Sequence, residues 1–167
     1  MNYEEWIDTT SLFQYYQYMK KTTEYGDNNS INLKMVIALS RTQTSFARIL
    51  QQYLSDFNLT IAQFGVMEAL YHLGDLKICE LIEKTLSTSG NMTVVIRNLE
   101  KEALIERRVN NDDRRAFLIA LTEKGRMLIK PVFEGHLTIL DAFFDRLTAD
   151  EREQLLALLK KLNGISN

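Results

Sequence analysis

Between Arg107 and Gly125 the chain reads Arg-Arg-Val-Asn-Asn-Asp-Asp-Arg-Arg-Ala-Phe-Leu-Ile-Ala-Leu-Thr-Glu-Lys-Gly, so four arginines surround a polar tip. Few backbones suit such a run. Asn110-Asn111-Asp112-Asp113 supplies side chains that tolerate left-handed backbone and bond their own turn, as a hairpin tip requires. Leu104 to Arg108 predicts the outgoing strand, and Ala116 to Leu121, with few groups that prefer water, the returning one. Arg114 and Arg115 then sit at the apex, where guanidinium groups can meet a phosphate backbone or a narrow minor groove.

The net charge of −2 excludes binding of nucleic acid by the whole surface. Its distribution matters more than its sum. Residues 87–126 carry eight Lys/Arg against six Asp/Glu, whereas residues 1–30 carry two against five and residues 131–167 four against six. A surplus this small is also what scattered solvated charges give, so position along a motif has to decide. With 167 residues, 46% of them hydrophobic and 25% charged, the chain has an ordinary globular balance. No apolar run approaches the ~20 residues of a membrane helix, and the start Met1-Asn2-Tyr3-Glu4-Glu5 is acidic where a signal peptide is basic. A cytoplasmic protein with no membrane association is expected. The single cysteine, Cys79, agrees with a reducing compartment.

The rest of the chain reads mainly as helix. Residues 3–25 place Trp6, Leu12, Phe13, Tyr16 and Met19 near helical spacing, and Tyr15, Tyr18 and Tyr25 add apolar surface that needs a cover. After the break at Gly26, Ser30 is expected to cap a long helix reaching about Asp56. Thr60 with Gln63 forms a capping box for a helix ending at Gly74. A short helix follows from Lys77 to about Leu86 with Ile78, Leu81 and Ile82 inward, then another through Met92, Val95, Ile96, Leu99 and Ala103. Thr122 and Glu123 open a further helix in which Pro131 predicts a kink rather than a stop. Thr148 with Glu151 caps a terminal helix carrying Leu155, Leu156, Leu158, Leu159 and Leu162.

Two short helices followed by a hairpin suggest a helix-turn-helix with a wing. In that motif the second helix enters the major groove and its first residues meet the base edges. Here those residues are Ser87-Thr88-Ser89-Gly90-Asn91-Met92-Thr93-Val94. The hydroxyls of Ser87, Thr88 and Ser89 suit a helix N-terminus whose free N–H groups hold a phosphate, and Gly90 lets backbone approach closely. Asn91 fits an adenine edge, Thr93 or Val94 a thymine methyl, and Arg97 a guanine or the backbone. Alone, the Ser-Thr-Ser-Gly-Asn run reads sooner as an ordinary polar loop and cap. The hairpin in the right order, a short distance on, tips the reading toward DNA.

Residues 59–126 resemble the winged helix-turn-helix core of the MarR family of bacterial transcriptional regulators. The resemblance is carried by Ile78-Cys79-Glu80-Leu81-Ile82-Glu83-Lys84, Ser89-Gly90-Asn91-Met92-Thr93 with Leu99-Glu100-Lys101, Leu104-Ile105-Glu106-Arg107, and Asp113-Arg114-Arg115 before Leu121-Thr122-Glu123-Lys124-Gly125. It implies a mainly α fold with a small β-wing. N-terminal helices (1–56) and C-terminal helices (127–167) would dimerise around a DNA-binding lobe (57–126). It also implies that Arg115 enters the minor groove with Asp113 holding its guanidinium, while Arg114 meets phosphate. The expected partners are double-stranded DNA and a second copy. Two recognition helices would then lie on the order of 34 Å apart, as a near-palindromic operator requires. Leu70-Tyr71-His72-Leu73-Gly74 and the Thr-Ser-Gly-Asn-Met-Thr helix start look most like members that repress detoxification genes against quinones and phenolics.

Members of this family sense a small aromatic or phenolic molecule or the oxidation of a cysteine. Cys79 is the candidate redox residue, but a free cysteine on such a helix is expected to be small, buried filling. His72 and His136 lack a second ligand at useful spacing, so no metal is expected. No catalytic triad, phosphate-binding glycine loop or carboxylate pair stands out, and neither enzyme activity nor a cofactor is expected. The expected function is a homodimeric repressor released by an aromatic or phenolic effector. The rivals are a cysteine-based oxidation sensor and a winged-helix protein-interaction module without its own operator.

Overall fold

The computed structural model describes residues 26–109 and 117–165. The aromatic helix expected over residues 3–25 and the hairpin tip with Asp113, Arg114 and Arg115 lie outside the described residues. The elements run α1 (Asp27–Ser55), α2 (Ile61–Leu73), α3 (Ile78–Lys84), α4 (Ser89–Lys101), β1 (Ile105–Val109), β2 (Phe117–Leu121), α5 (Glu123–Phe144) and α6 (Ala149–Leu162). Two compact units are distinguished, residues 1–44 and 45–167. In the described part of the first, Ile31, Met35, Val36 and Leu39 of α1 are exposed.

Helix α1 starts earlier than its predicted cap. The Ser30 N–H donates to the Gly26 carbonyl at 3.0 Å, so Ser30 lies inside the first turn and Gly26, at φ +77°, precedes the helix. An unbranched residue with free backbone enters a helix as readily as a hydroxyl cap does. The other termini follow their residues. Thr60 Oγ1 accepts from Gln63 N at 3.2 Å while Gln63 Oε1 accepts from Thr60 N at 2.9 Å, which satisfies the otherwise buried Gln63 side chain. Gly74 closes α2 at φ +82°, a conformation costly for any side chain. Helix α3 is two residues shorter at its end than expected, since Leu86 turns into left-handed backbone at φ +51°.

In the second unit, Leu50 and Leu54 of α1, Phe64, Met67 and Leu70 of α2, Leu81 of α3, the inner face of α4, and Ile129 and Val132 of α5 close one core. Strands β1 and β2 pair antiparallel with Ile105 opposite Leu121 and Val109 opposite Phe117. Leu76 adds a third edge, exchanging hydrogen bonds with Ile119 at 3.1 and 2.8 Å, so the wing's root is anchored to the α2–α3 connection.

Helix α5 passes Pro131 without a break. Just beyond, Tyr53 Oη donates to the Val132 carbonyl at 3.0 Å, and Gly135 leaves room for that ring: a Cβ there would come within 2.1 Å of the hydroxyl. The start of α5 explains the Leu-Thr-x-x-Gly run. Thr122 caps the helix and donates to the Ala103 carbonyl at 2.7 Å, Lys124 Nζ donates to Glu102 O at 2.7 Å, and a Cβ on Gly125 would meet Leu104 O at 2.0 Å. Only glycine lets α5 press against the exit of α4. Among the described residues no helix is long and apolar enough to cross a membrane.

Candidate nucleic-acid interface

Helix α4 separates its chemistry by face. Met92, Val95, Ile96 and Leu99 recur at helical spacing and are buried in the lobe. That leaves Thr88, Ser89, Gly90, Asn91, Thr93, Val94 and Arg97 exposed on the other side, with Ser87 half-buried in the turn before them. The turn from α3 is held by Thr85 N to Leu81 O at 2.9 Å and Ser87 N to Ile82 O at 3.1 Å. Both faces of α4 thus have partners or solvent suited to them.

Several of these side chains make bonds within the chain. Thr88 is the N-cap, accepting from Asn91 N at 3.4 Å, and Asn91 Nδ2 donates to Ser87 Oγ at 3.2 Å. Asn91 must exchange that bond to reach a base edge. Thr93 Oγ1 donates back to Ser89 O at 3.0 Å. Among the described residues Gly90 would meet nothing within 4 Å if it carried a Cβ, so their packing does not require glycine there. Among the described residues, no carboxylate lies within ion-pair distance of Arg97. Its charge is available to the solvent side.

The arginines at the wing's root are differently placed. Arg107 Nε donates to Glu100 Oε1 at 2.7 Å, and Arg108 lies 3.2 Å from Asp75 and 2.7 Å from Glu106. The carboxylates beside it raise the Arg108 pKa further above its usual value, the bond to Glu106 most of all. Sequence reasoning named both arginines and missed their partners. A local signal existed only for Glu106, two residues away; Asp75 is 33 residues off.

Cys79 corrects an expectation. It is exposed, not buried filling. The inner face of α3 is set by Leu81 with half-buried Ile78 and Ile82, and Cys79, about 100° around the helix from Ile78, misses it. His136 is buried among the rings of Phe46, Phe64 and Phe133, with centroids 6.2, 5.1 and 6.2 Å away, and among the described residues its Nδ1 has no hydrogen-bond partner. Burial lowers its pKa. His72 packs on Phe133 at 4.5 Å. Among the described residues, no three His, Cys, Asp or Glu side chains gather as a metal site would need.

Residues 48–132 match the family model described as transcriptional regulator SarA/Rot. The chain is 32% identical over 131 residues to the HTH-type transcriptional regulator MhqR of Bacillus subtilis, a match that covers 78% of this chain and 90% of that one. Among solved structures, BpsR of Bordetella bronchiseptica, whose DNA binding is regulated by 6-hydroxynicotinic acid, superimposes with a TM-score of 0.71 at 28% identity, over 78% of this chain and 98% of that one. A cysteine-to-serine mutant of MarR from E. coli, complexed with operator DNA, gives 0.72 at 27% identity, over 84% and 99%. A two-faced second helix, a wing anchored behind it and these likenesses converge: the chain belongs to the MarR family of winged helix-turn-helix transcriptional regulators, and it is a DNA-binding regulator rather than an enzyme.

Proposed function

We propose that the protein is a homodimeric repressor acting in the cytoplasm, which binds a pseudo-palindromic operator and is released by a small aromatic or phenolic molecule. The observation that carries the DNA contact is the exposed polar face of α4 from Thr88 to Arg97, opposite a fully buried apolar face. On this reading Asn91 reads a base edge, Thr93 or Val94 touches a thymine methyl, and Arg97 reaches a guanine or phosphate. The N-terminus of α4, with Ser87, Thr88, Ser89 and Gly90, approaches the backbone. The wing motif assigns Arg115 to the minor groove, Asp113 to its guanidinium and Arg114 to phosphate.

Dimerisation through residues 1–56 and 127–167 around a lobe at 57–126 is supported by apolar side chains that the described residues leave exposed, among them Leu156, Leu158 and Leu162 of α6. The effector reading, including the quinone- and phenolic-responsive subgroup, is supported by the aromatic cluster around His136, whose Nδ1 has no partner among the described residues, and by the aromatic acid that regulates BpsR. Such a ligand releases DNA only by preferring the geometry that does not fit the operator.

A mobility-shift titration on DNA upstream of the gene, with and without phenolics, tests the whole reading. No shift at low salt from a folded dimer would overturn it. Arg115→Ala is expected to weaken operator binding by roughly 1–3 kcal/mol and to reduce A·T preference at the flanks. Asn91→Ala should relax sequence choice more than it lowers binding to random DNA; a parallel loss on both would make Asn91 a backbone contact. The exposure of Cys79 favours one second reading, an oxidation sensor. Peroxide that abolishes the shift in wild type but not in Cys79→Ser would select it.

A further inference from the structure

We infer that Glu100 and Arg107 are positioning residues for DNA binding: their ion pair is a strut that sets the angle between recognition helix α4 and the wing. The inference rests on the DNA-binding role of this lobe. Arg107 meets Glu100 at two points, Nε to Oε1 at 2.7 Å and Nη2 to Oε2 at 3.5 Å. A planar guanidinium held at two points fixes orientation as well as distance.

The place of the strut gives it leverage. Glu100 lies in the last turn of α4 and Arg107 in the middle of β1, on either side of a tight reversal. In that reversal Ala103 adopts φ +55°, Ala103 N donates to Glu100 O at 2.9 Å, and Leu104 N donates to Leu99 O at 3.0 Å. These backbone bonds close the corner, and buried Ile105 and the Leu76–Ile119 bridge hold the root of the sheet, but none of them ties the middle of β1 to α4. The Glu100–Arg107 pair closes a second path across the same corner. Successive strand residues face opposite sides, so Arg108 is turned to the other face, where Asp75 and Glu106 hold it. Both faces of β1 are thus braced by carboxylates, one of them from the recognition helix itself.

The chemistry separates this role from the obvious one. An arginine at a wing's root is expected to hold phosphate, yet Arg107 is already occupied by a carboxylate. A half-exposed pair of this kind adds little to folding, so its effect is expected in how the two DNA-contacting elements are set, not in stability. A helix in the major groove and a wing on the adjacent minor groove bind together only if their separation matches the duplex. Random DNA, bound through charge alone, is far less demanding.

The test compares full-length wild type, Glu100→Gln and Arg107→Lys on operator and on random DNA across a salt series, with thermal unfolding of each. Wild type that binds no operator removes the DNA-binding reading; every other outcome bears on the strut alone. The strut predicts that both variants lose about tenfold on the operator, keep their affinity for random DNA and their salt slope, and unfold within a degree or so of wild type. Operator affinity left unchanged in Glu100→Gln overturns it. So does tighter binding to both DNAs with a salt slope steeper by about one, because a freed Arg107 would then be a phosphate ligand. Near-wild-type operator binding by Arg107→Lys also overturns it, since lysine keeps the charge but not the fork. A lowered unfolding temperature with parallel loss on both DNAs would reduce the pair to a structural contact.

Discussion

Helices α4 and α6 are nearly the same length and both carry an apolar stripe, yet they end in opposite situations. Helix α4 buries Met92, Val95, Ile96 and Leu99, whereas no residue of α6 is fully buried, and Leu158 and Leu162 remain 65% and 62% exposed. Amphipathic sequence alone does not tell them apart. What differs is whether the chain itself supplies the surface that an apolar face requires. Around α4 it does, through α2, α3 and β1, so the polar face is left over for a ligand. Around α6 the described residues do not, so the apolar face is what is left over. The first helix turns a polar face outward from a finished lobe, as the proposed DNA contact requires; the second leaves an apolar face that the proposed second copy would cover.

The sharpest way to break this contrast is to damage each helix's support. Gly125→Ala drives a Cβ into the Leu104 carbonyl at the exit of α4, a backbone atom that cannot step aside, and is expected to cost about 3 kcal/mol or more in urea unfolding. Leu99→Ala, in a site with no exposure, should cost a similar about 3 kcal/mol. Gly135→Ala meets only the movable end of Tyr53 and should cost about 1 kcal/mol, the hydrogen bond to Val132 being lost. In α6, Leu158→Asp should change unfolding of the single chain by no more than about 0.5 kcal/mol. It should nevertheless raise the dimer dissociation constant at least about tenfold, as sedimentation would show. A Leu158→Asp chain as unstable as Leu99→Ala would mean that α6 is packed internally and that the contrast is false.

What the sequence made legible follows the range of the interactions. The capping boxes at Thr60 and Thr148 span three residues and form as their residues predict. The buried face of α4 was readable from its 3.6-residue period, because packing and period say the same thing over thirteen residues. Over the seven residues of α3 the period is too short to place Cys79, which proved exposed. At α1, Gly26 shares the cap's job with no side-chain signal, so Ser30 misled. The braces of β1 join residues 7 and 33 positions apart, and the Leu76–Ile119 bridge joins residues farther apart still. Nothing local announces those contacts. Gly125 stood out as part of a motif, but its reason, the Leu104 carbonyl, exists only once α5 lies against the corner after α4.

Acid offers the gentlest test, because a titrating group is buried among aromatic rings of α1, α2 and α5 and another lies at the cap of α6. His136 is neutral among Phe46, Phe64 and Phe133, and burial holds its pKa below the usual 6.5. The unfolded chain therefore takes up the proton first. Stability is complete above about pH 6.5 and falls as pH drops from there through the folded value. Glu151 is lowered for a different reason, the Thr148 backbone N–H and then its hydroxyl favouring the carboxylate, so the α6 cap weakens only below about pH 4.5. Glu68, raised by burial and opposed by His72, works the other way: its contribution is full in acid and lost as pH rises through its folded value. Unfolding midpoints from about pH 7.5 to about pH 5.5 should therefore decline in wild type and flatten in His136→Leu, while a Glu151→Gln chain keeps the wild-type slope. Equal slopes for wild type and His136→Leu would mean that His136 takes up a proton in the folded chain as easily as in water. The aromatic cluster would then be open to solvent, and the contrast between a closed interior and an exposed α6 would narrow at α5.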